Sequence, residues 1–235
     1  MPDDVRVSDV PVSDVGPGGG AHPPPGGVVR SIDRRRARTR AEILAAAWSI
    51  CREHGLAALS LREIGERVGM RAPSLYSYFE SKDAIYDAMF AEGQAELAAQ
   101  LETLNADGPV RQVIRAGTRA FFEFCVSDPI RYQLMFQRTL PGFEPSPASY
   151  ALAVANLETL SSRLVSAGVT DPRHVDLWTA VVTGLTDQQI SNDPGGDRWA
   201  RLLDETVELL GDHVGLPPDP TRSSTGTTTS KGTPS

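Results

Sequence analysis

The sequence predicts an all-α protein of nine helices. Between residues 30 and 214, apolar side chains recur every three or four positions almost throughout, which is the period of a helix with one buried face. Gly55, Gly69, Gly108 and Pro172 interrupt this pattern and divide it into segments of helical length. The chain is 40% hydrophobic, so these segments can pack into globular domains.

Start and stop signals set the bounds of each helix. The first helix has an apolar stripe from Ile43 to Cys51 and ends at Gly55, because glycine adopts the left-handed conformation that closes a helix at little cost. Serine caps, or prolines in the first turn, open several of the others. Helices two to nine are predicted at residues 61–68, 72–79, 82–105, 109–126, 129–136, 147–167, 172–192 and 197–214.

Residues 60–82 predict two short helices joined by a tight glycine turn. Ser60 and Glu63 have the spacing of a capping box at the start of the first helix, and Gly69 ends it. In the second helix Leu75 and Phe79 share the inward face, because they are four residues apart. Hydroxyl groups remain on the outer surface of this second helix, at Ser74, Tyr76, Ser77 and Tyr78.

Two helix starts in this segment lack an obvious internal partner. Neither Arg71 nor Ala72 is a good N-cap for the second short helix. Lys82 follows the N-cap Ser81, in a first turn where the helix dipole disfavours a cation. A DNA phosphate would satisfy both helix starts. The alternative interpretation is a corner of a helical bundle with a solvated face.

Positive charge is concentrated in and just before this segment. Residues 30–82 contain eleven Lys and Arg against six Asp and Glu, a net charge of +5, whereas the whole chain has a net charge of −7. A basic segment in an acidic protein is typical of a nucleic-acid-binding domain, although a run of arginines can also be a solvated tail. An arginine arm opens the segment, with Arg30, Arg34, Arg35, Arg36, Arg38 and Arg40.

The run from Thr39 to Phe90 resembles the N-terminal domain of tetracycline-repressor-like (TetR family) transcription regulators. Ile64 and Gly69 of helix two, the L-Y-x-x-F motif at 75–79 and the S-K pair at 81–82 carry the resemblance. It implies a ligand-responsive homodimeric repressor of a palindromic double-stranded DNA operator. Two helix-turn-helix units related by twofold symmetry would read the two half-sites.

The predicted DNA contacts fall into two groups. Phosphate contacts, which supply affinity, are expected from Arg34, Arg35, Arg36, Arg38, Thr39, Ser60, Arg62, Tyr76 and Lys82. Base contacts in the major groove, which supply sequence choice, are expected from Arg71, Ala72, Ser74, Ser77 and Tyr78. Position 71 departs from the resemblance, since the family often has a small capping residue there.

The C-terminal helices predict a ligand pocket and a dimer interface. A small apolar effector needs a largely apolar pocket with a few polar groups, although any one of these aromatic residues is more often part of a core. The expected pocket residues are Phe121, Phe122, Phe124, Tyr132, Phe136, Tyr150, Trp178 and Asp187. The last two helices resemble those that form the family's dimer, and the expected interface comprises Leu177, Val181, Leu185, Leu202, Leu203, Val207 and Leu210; packing within one chain is the alternative.

Other classes of protein find little support in the sequence. The four histidines are scattered, and no catalytic or phosphate-loop motif occurs. Cys51 and Cys125 lie in apolar helical patterns, so we expect buried free thiols, no metal site and no cofactor. No apolar run is long enough to span a bilayer and no signal peptide is evident, so we expect a cytoplasmic protein without a membrane partner. The alternative function is a helical ligand- or partner-binding dimer that has lost operator recognition.

These patterns predict four regions along the chain. The predicted regions are a disordered Pro/Gly-rich tail at 1–29, a helix-turn-helix domain with its arginine arm at 30–97, a helical ligand-binding and dimerisation domain at 98–214, and a disordered Ser/Thr-rich tail at 215–235.

Overall fold

The structure, a computed structural model, describes residues 26–105 and 107–219, and its regular elements in these ranges are all helical. Residues 26–39 and residues 40–219 belong to separate compact units. The prediction of nine helices is confirmed for the described part of the chain: α1 Gly26–His54, α2 Leu61–Val68, α3 Ala72–Leu75, α4 Lys82–Glu102, α5 Val110–Ser127, α6 Pro129–Phe136, α7 Pro147–Ser166, α8 Arg173–Asn192 and α9 Leu203–Val214.

Helix α2 has the predicted bounds and the predicted ends. The Ser60 hydroxyl accepts a hydrogen bond from the Glu63 amide at 3.2 Å, although the Glu63 carboxylate pairs with Arg67 at 3.1 Å. Gly69 is left-handed, with φ of 68°, and the Met70 amide donates to the Gly65 carbonyl at 2.8 Å. This last hydrogen bond closes a Schellman motif and turns the chain sharply toward α3.

Helix α3 is a single turn, half the predicted length. The Ser77 hydroxyl donates to the Ser74 carbonyl at 2.7 Å, so it competes for the acceptor that an α-helix would offer to the Tyr78 amide. That amide bonds instead to the Leu75 carbonyl at 2.8 Å, three residues back. The prediction of a helix through Phe79 was therefore wrong, because a local side-chain hydrogen bond ends it.

Helix α4 belongs to more than one hydrophobic core. Its N-terminal half places Ile85 and Met89 in a core shared with α1, α2 and α3. Further along, Leu97 packs against Phe124 and Tyr132 of α5 and α6. A separate core joins α5, α7, α8 and α9. The predicted domain boundary at 97–98 therefore falls inside a continuous helix that contributes residues to two cores.

A buried arginine fixes the end of the described chain. Arg111 is only 2% exposed, and it donates to the carbonyls of Leu216 and Pro217 at 2.7 and 3.1 Å. It also pairs with Glu208 and Asp212 of α9 at 3.0 and 2.8 Å. Buried charges need such partners. Leu216 and Asp219 are buried, and the carbonyls of Leu216 and Pro217 are hydrogen-bonded, which corrects the prediction that the disordered tail begins at 215.

Two further bounds differ from prediction. Helix α9 begins at Leu203 rather than residue 197, because the Gln189 side-chain oxygen accepts from the Trp199 and Ala200 amides at 3.0 and 3.2 Å and holds that segment outside the helix. Helix α1 begins at Gly26, inside the predicted tail. The remaining tail predictions, at 1–25 and 220–235, lie outside the described residues. Among the described helices, none has both the length and the apolar composition needed to cross a bilayer.

We expect Gly65→Ala to destabilise the protein by about 1–3 kcal/mol. A β-carbon at position 65 would lie 2.6 Å from the Met70 backbone oxygen, so the turn between α2 and α3 would have to open. Gly117→Ala is the matched control, because a β-carbon there meets nothing within 4 Å and alanine favours a helix by up to about 1 kcal/mol. Urea unfolding of the three proteins measures both effects; equal stabilities would contradict the close approach.

Both cysteine thiols are expected to be unreactive in the folded protein. Burial raises the pKa of Cys51 to about 11 and raises that of Cys125 as well, and the thiolate is the reactive form. At pH 8, a thiol reagent such as DTNB should therefore modify neither cysteine in the native protein and both after unfolding in guanidinium chloride. Rapid modification of the native protein would show that the reagent reaches one of these two thiols in the folded state.

Candidate nucleic-acid interface and ligand cavity

The outer surface of the helix-turn-helix presents several of the predicted DNA-contact residues together. Arg71, Ser74 and Ser77 are exposed, and Tyr76 is 55% exposed. Arg71 occupies the N-cap position of α3 without making a side-chain cap, as predicted. Ala72 beside it is half-buried. The surface thus combines a guanidinium with hydroxyl groups, which are the usual donors to base edges and phosphates.

Tyr78 differs from this exposed group. Its side chain is half-buried and packs against the core that contains Phe79. Its carbonyl accepts a hydrogen bond from Arg40, whose guanidinium also lies 4.1 Å from the centre of the Phe79 ring. Tyr78 is therefore less exposed than the serines beside it, because its ring packs partly against this core.

Lys82 has internal partners that the sequence did not reveal. Its ammonium nitrogen lies 3.3 Å from the Ala57 carbonyl oxygen and 5.4 Å from the centre of the Tyr86 ring. Both contacts offset the unfavourable position of a cation at the start of α4. The helix start therefore has internal partners, and because an ammonium group has three donor hydrogens, Lys82 keeps capacity for the predicted phosphate contact.

The other predicted phosphate contacts are distributed over α1 and α2. Ser60 is the N-cap of α2. Arg62 has a side chain that is 87% exposed and lies 3.6 Å from Glu66. In the unit formed by residues 26–39, Thr39 is half-buried and the arginines at 34, 35, 36 and 38 are exposed on α1.

A largely apolar cavity of about 170 Å³ lies between α4, α5, α6, α7 and α8. Three of the predicted pocket residues line it, namely Phe121, Phe136 and Trp178. Trp178 is buried and donates to Thr118 at 3.2 Å. The cavity lining comprises Gln94, Leu97, Leu101, Leu104, Val113, Ile114, Gly117, Thr118, Phe121, Phe136, Ala153, Asn156, Leu157, Thr159, Leu160, Arg163, Trp178, Thr179, Val182 and Thr183.

Five predicted pocket residues lie elsewhere. Phe122 and Phe124 are buried, and Tyr132 belongs with Phe124 to a core of α4, α5 and α6. Asp187 accepts hydrogen bonds from the Tyr132 hydroxyl and the Gln137 amide at 2.9 and 2.8 Å. The remaining prediction, Tyr150, is 57% exposed on the surface. The aromatic cluster of the sequence is therefore mostly core, as the alternative interpretation held.

Sequence reasoning missed several polar residues of the cavity, and three of them carry amide or guanidinium groups. Gln94 of α4, and Asn156 and Arg163 of α7, all line the cavity. Asn156 donates to the backbone and side-chain oxygens of Gln94 at 3.0 and 2.9 Å. The available signal was their position, because Gln94 lies three residues before Leu97, and Arg163 three after Leu160, on otherwise apolar helix faces.

The predicted dimer interface divides into an outer and an inner part. Leu203, Val207 and Leu210 of α9 are buried within the single chain, so a second copy cannot reach them. The reason is that α9 has one apolar stripe, and that stripe packs on α5 and α8. The predicted residues that remain accessible are Leu177, Val181, Leu185 and Leu202.

Polar contacts join α4 to elements on both of its sides. Asp87 accepts hydrogen bonds from the Ser146 amide at 2.7 Å, the Ser146 hydroxyl at 3.0 Å and the Ser149 hydroxyl at 2.9 Å, all at the start of α7. On α1, Trp48 donates to Glu92 at 2.7 Å. These links connect a wall of the cavity to the helices that carry the helix-turn-helix.

A second link to α1 runs through α6. Arg52 pairs with Asp128 at 2.7 Å, and Asp128 is also the N-cap of α6, where its side chain accepts from the Arg131 amide at 3.1 Å. Phe136, at the other end of α6, lines the cavity. A single short helix therefore contacts both the cavity and α1.

Comparison with known proteins identifies the helix-turn-helix region. Residues 43–89 match the family model described as bacterial regulatory proteins, tetR family. The transcriptional activator FasR of Mycolicibacterium smegmatis is 32% identical over 115 residues, which cover 48% of this chain and 52% of FasR. The chain spans about half the length of the curated relatives that it matches.

Solved structures extend the similarity to most of the fold. The fatty acid degradation regulator FadR of Bacillus halodurans has a TM-score of 0.61 at 16% identity, over 73% of this chain and 93% of FadR. FadR of Bacillus subtilis, solved in complex with stearoyl-CoA, has a TM-score of 0.59 at 16% identity, over 72% of this chain and 96% of that one. At such low identity the similarity concerns the fold.

Proposed function

We propose that this chain, which belongs to the tetR family of bacterial regulatory proteins, is a homodimeric transcriptional repressor in the cytoplasm that binds a palindromic operator and responds to a small apolar effector. The observation that carries this proposal is the exposed group of Arg71, Ser74, Tyr76 and Ser77 on a helix-turn-helix whose own packing is complete. The side chains of Arg71, Ser74 and Tyr76 are exposed and can reach DNA, whereas the Ser77 hydroxyl already donates to the Ser74 carbonyl. No enzymatic activity is proposed.

The proposed DNA contacts divide into phosphate contacts, which supply affinity, and base contacts, which supply sequence specificity. Phosphate contacts would set the register of the protein on the duplex. They would come from Arg62, Lys82, Thr39, Ser60, Tyr76 and the arginines of α1 at 34, 35, 36 and 38. Arg71, Ala72, Ser74 and Ser77 would face base edges in the major groove. Tyr78 is less suited to base contact than we expected, because its ring is half-buried.

The effector would act from the cavity. It would lie against α4, α6 and α7, and the hydrogen bonds from Ser146 and Ser149 to Asp87 tie the start of α7 to α4. A ligand that favours a different spacing of α4 and α7 would displace α4 and change the distance between the two recognition elements of a dimer. Half-sites on DNA have a fixed spacing, so the displaced dimer would release its operator.

The dimer would form on the accessible face of α8. Leu177, Val181 and Leu185 are half-buried or exposed there, and a β-carbon at Gly184 would meet nothing within 4 Å. Leu202 is also accessible. A second copy of the chain would bury this apolar face by twofold symmetry.

We expect substitutions in the two groups of DNA contacts to have different effects. After an operator is selected from random DNA, Lys82→Ala should weaken binding to every sequence and reduce the salt slope by about one. Arg71→Ala and Ser74→Ala should cost roughly 1–3 kcal/mol on the operator and relax the preference at particular base pairs. Fluorescence anisotropy at several salt concentrations measures both effects.

The matched control for these variants is Arg138→Ala. Arg138 is exposed on the segment after α6, so its loss removes one positive charge without touching the helix-turn-helix. It should leave affinity and salt slope unchanged. Similar losses of affinity on operator and random DNA for all three helix-turn-helix variants would contradict the division into phosphate and base contacts. The absence of any saturable operator binding by the wild type would refute the proposed function.

We expect Leu177→Glu to convert the dimer into a monomer. Leu177 is 36% exposed in the single chain, so the substitution can be tolerated by the monomer, but it would bury a charge in the α8 interface. Sedimentation velocity measures the change in mass. Leu152→Glu on α7, at a leucine that is also exposed, should remain dimeric; the opposite pattern would move the interface to α7.

A further inference from the structure

We propose that the cavity binds an elongated apolar monocarboxylate, with its carboxylate at Arg163 and its apolar chain directed along α7 toward Gln94. This inference rests on the proposed function only in that it specifies the effector of the same cavity. The cavity walls are mostly aliphatic and aromatic, which sets the apolar body of the ligand. The polar side chains in those walls indicate which polar groups the ligand carries.

The charge in the cavity wall identifies the head group. Arg163 is the one formally charged residue among those that line the cavity. It is half-buried, and its side chain has no hydrogen bond or ion pair with any residue that the structure describes. A guanidinium in an apolar wall favours an anion, and its two parallel N–H groups match a carboxylate. A single cation balances a monoanion, whereas a dianionic phosphate would bring an unbalanced negative charge into the apolar cavity.

An unused hydrogen-bond donor marks the other end of the ligand. Gln94 is 1% exposed, and its Nε2 is buried without a hydrogen-bond acceptor among the described residues. The Asn156 amide donates to Gln94 Oε1 at 2.9 Å, so the carbonyl oxygen of Gln94 is already used and the amino group is left over. Buried donors are normally satisfied. An oxygen atom on the ligand chain would complete this one.

The pairing of α4 and α7 gives the distance between the two groups. Asn156 contacts Gln94, and Arg163 lies seven residues further along the continuous helix α7. At a rise of 1.5 Å per residue, the two positions are about 10 Å apart along the helix. The best ligand therefore carries a carboxylate and, about 10 Å away on an apolar chain, an oxygen that accepts a hydrogen bond.

Isothermal titration calorimetry of the full chain with decanoate, decan-1-ol, decyl phosphate and 10-hydroxydecanoate tests the inference. Decanoate should bind about tenfold or more tightly than decan-1-ol, because a charge-assisted hydrogen bond is worth that difference. Decyl phosphate should bind more weakly than decanoate, and 10-hydroxydecanoate more tightly. Equal affinities for decanoate and decan-1-ol, or tighter binding of the phosphate, would overturn the assignment of a monocarboxylate; a weaker 10-hydroxydecanoate would overturn the role of Gln94.

Variants locate the effect at Arg163. Arg163→Gln should abolish the preference for decanoate over decan-1-ol while leaving the affinity for the alcohol within about twofold. Arg163→Lys, which keeps the charge, should retain part of the preference, and the exposed control Arg138→Gln should retain all of it. An unchanged melting temperature and helix content of Arg163→Gln would exclude misfolding as the cause. A preference that survives Arg163→Gln would contradict the inference.

The same proteins separate this inference from the proposed function. Operator binding without ligand is measured in parallel. Saturable operator binding without a carboxylate preference would overturn the ligand assignment and leave the DNA function standing. A carboxylate preference that depends on Arg163, in a protein that binds no operator, would support the ligand assignment and refute the DNA function.

Discussion

The pairing of α4 with α7 is the constraint on which the rest of the structure depends. Asp87 takes three hydrogen bonds from the start of α7, and Asn156 binds Gln94 two turns further along. The Asp87–Ser149 and Gln94–Asn156 contacts each join residues 62 positions apart, so the helices run side by side in one register. Because α4 also carries Ile85 into the core of the helix-turn-helix, this register fixes the cavity relative to the proposed DNA-reading surface.

Local signals explain why much of the fold could be predicted from sequence. The bounds of α2 follow from Ser60 and Gly69, whose roles depend only on residues within one turn. Where a side chain competes with the helix, the same reasoning fails. The Ser77 hydroxyl ends α3 early, and the Gln189 side chain delays α9 by binding amides ten and eleven residues away. The spacing of apolar residues along a helix predicts neither of these two side-chain hydrogen bonds.

Burial was harder to assign than helix position, since an apolar stripe does not reveal its partner. Val207 and Leu210 have the spacing of an interface, but they pack within the chain in a core that includes Ile114 of α5. Most of the predicted pocket aromatics likewise fill cores, and the polar groups of the cavity were missed. Arg111 is the clearest case: its partners lie about a hundred residues away in sequence, and no local pattern could show that a charged residue would be buried there.

The two links from the cavity to α1 differ in how they could transmit a change. The path through α4 combines the core that α4 shares with α1 with the Trp48–Glu92 hydrogen bond, and packed cores resist small displacements. The path through α6 is short and polar, because Phe136 touches the cavity at one end and Asp128 pairs with Arg52 at the other. Arg52 is half-exposed, whereas the Asp128 side chain is only 11% exposed and accepts two hydrogen bonds from Arg52 at 2.9 and 2.7 Å. A ligand that moves α6 would act on α1 through this ion pair, whereas a ligand that moves α4 would act on the core that α4 shares with α1, α2 and α3. The proposed effector lies against Gln94 of α4 and Arg163 of α7, so it would act on the helix-turn-helix through that shared core.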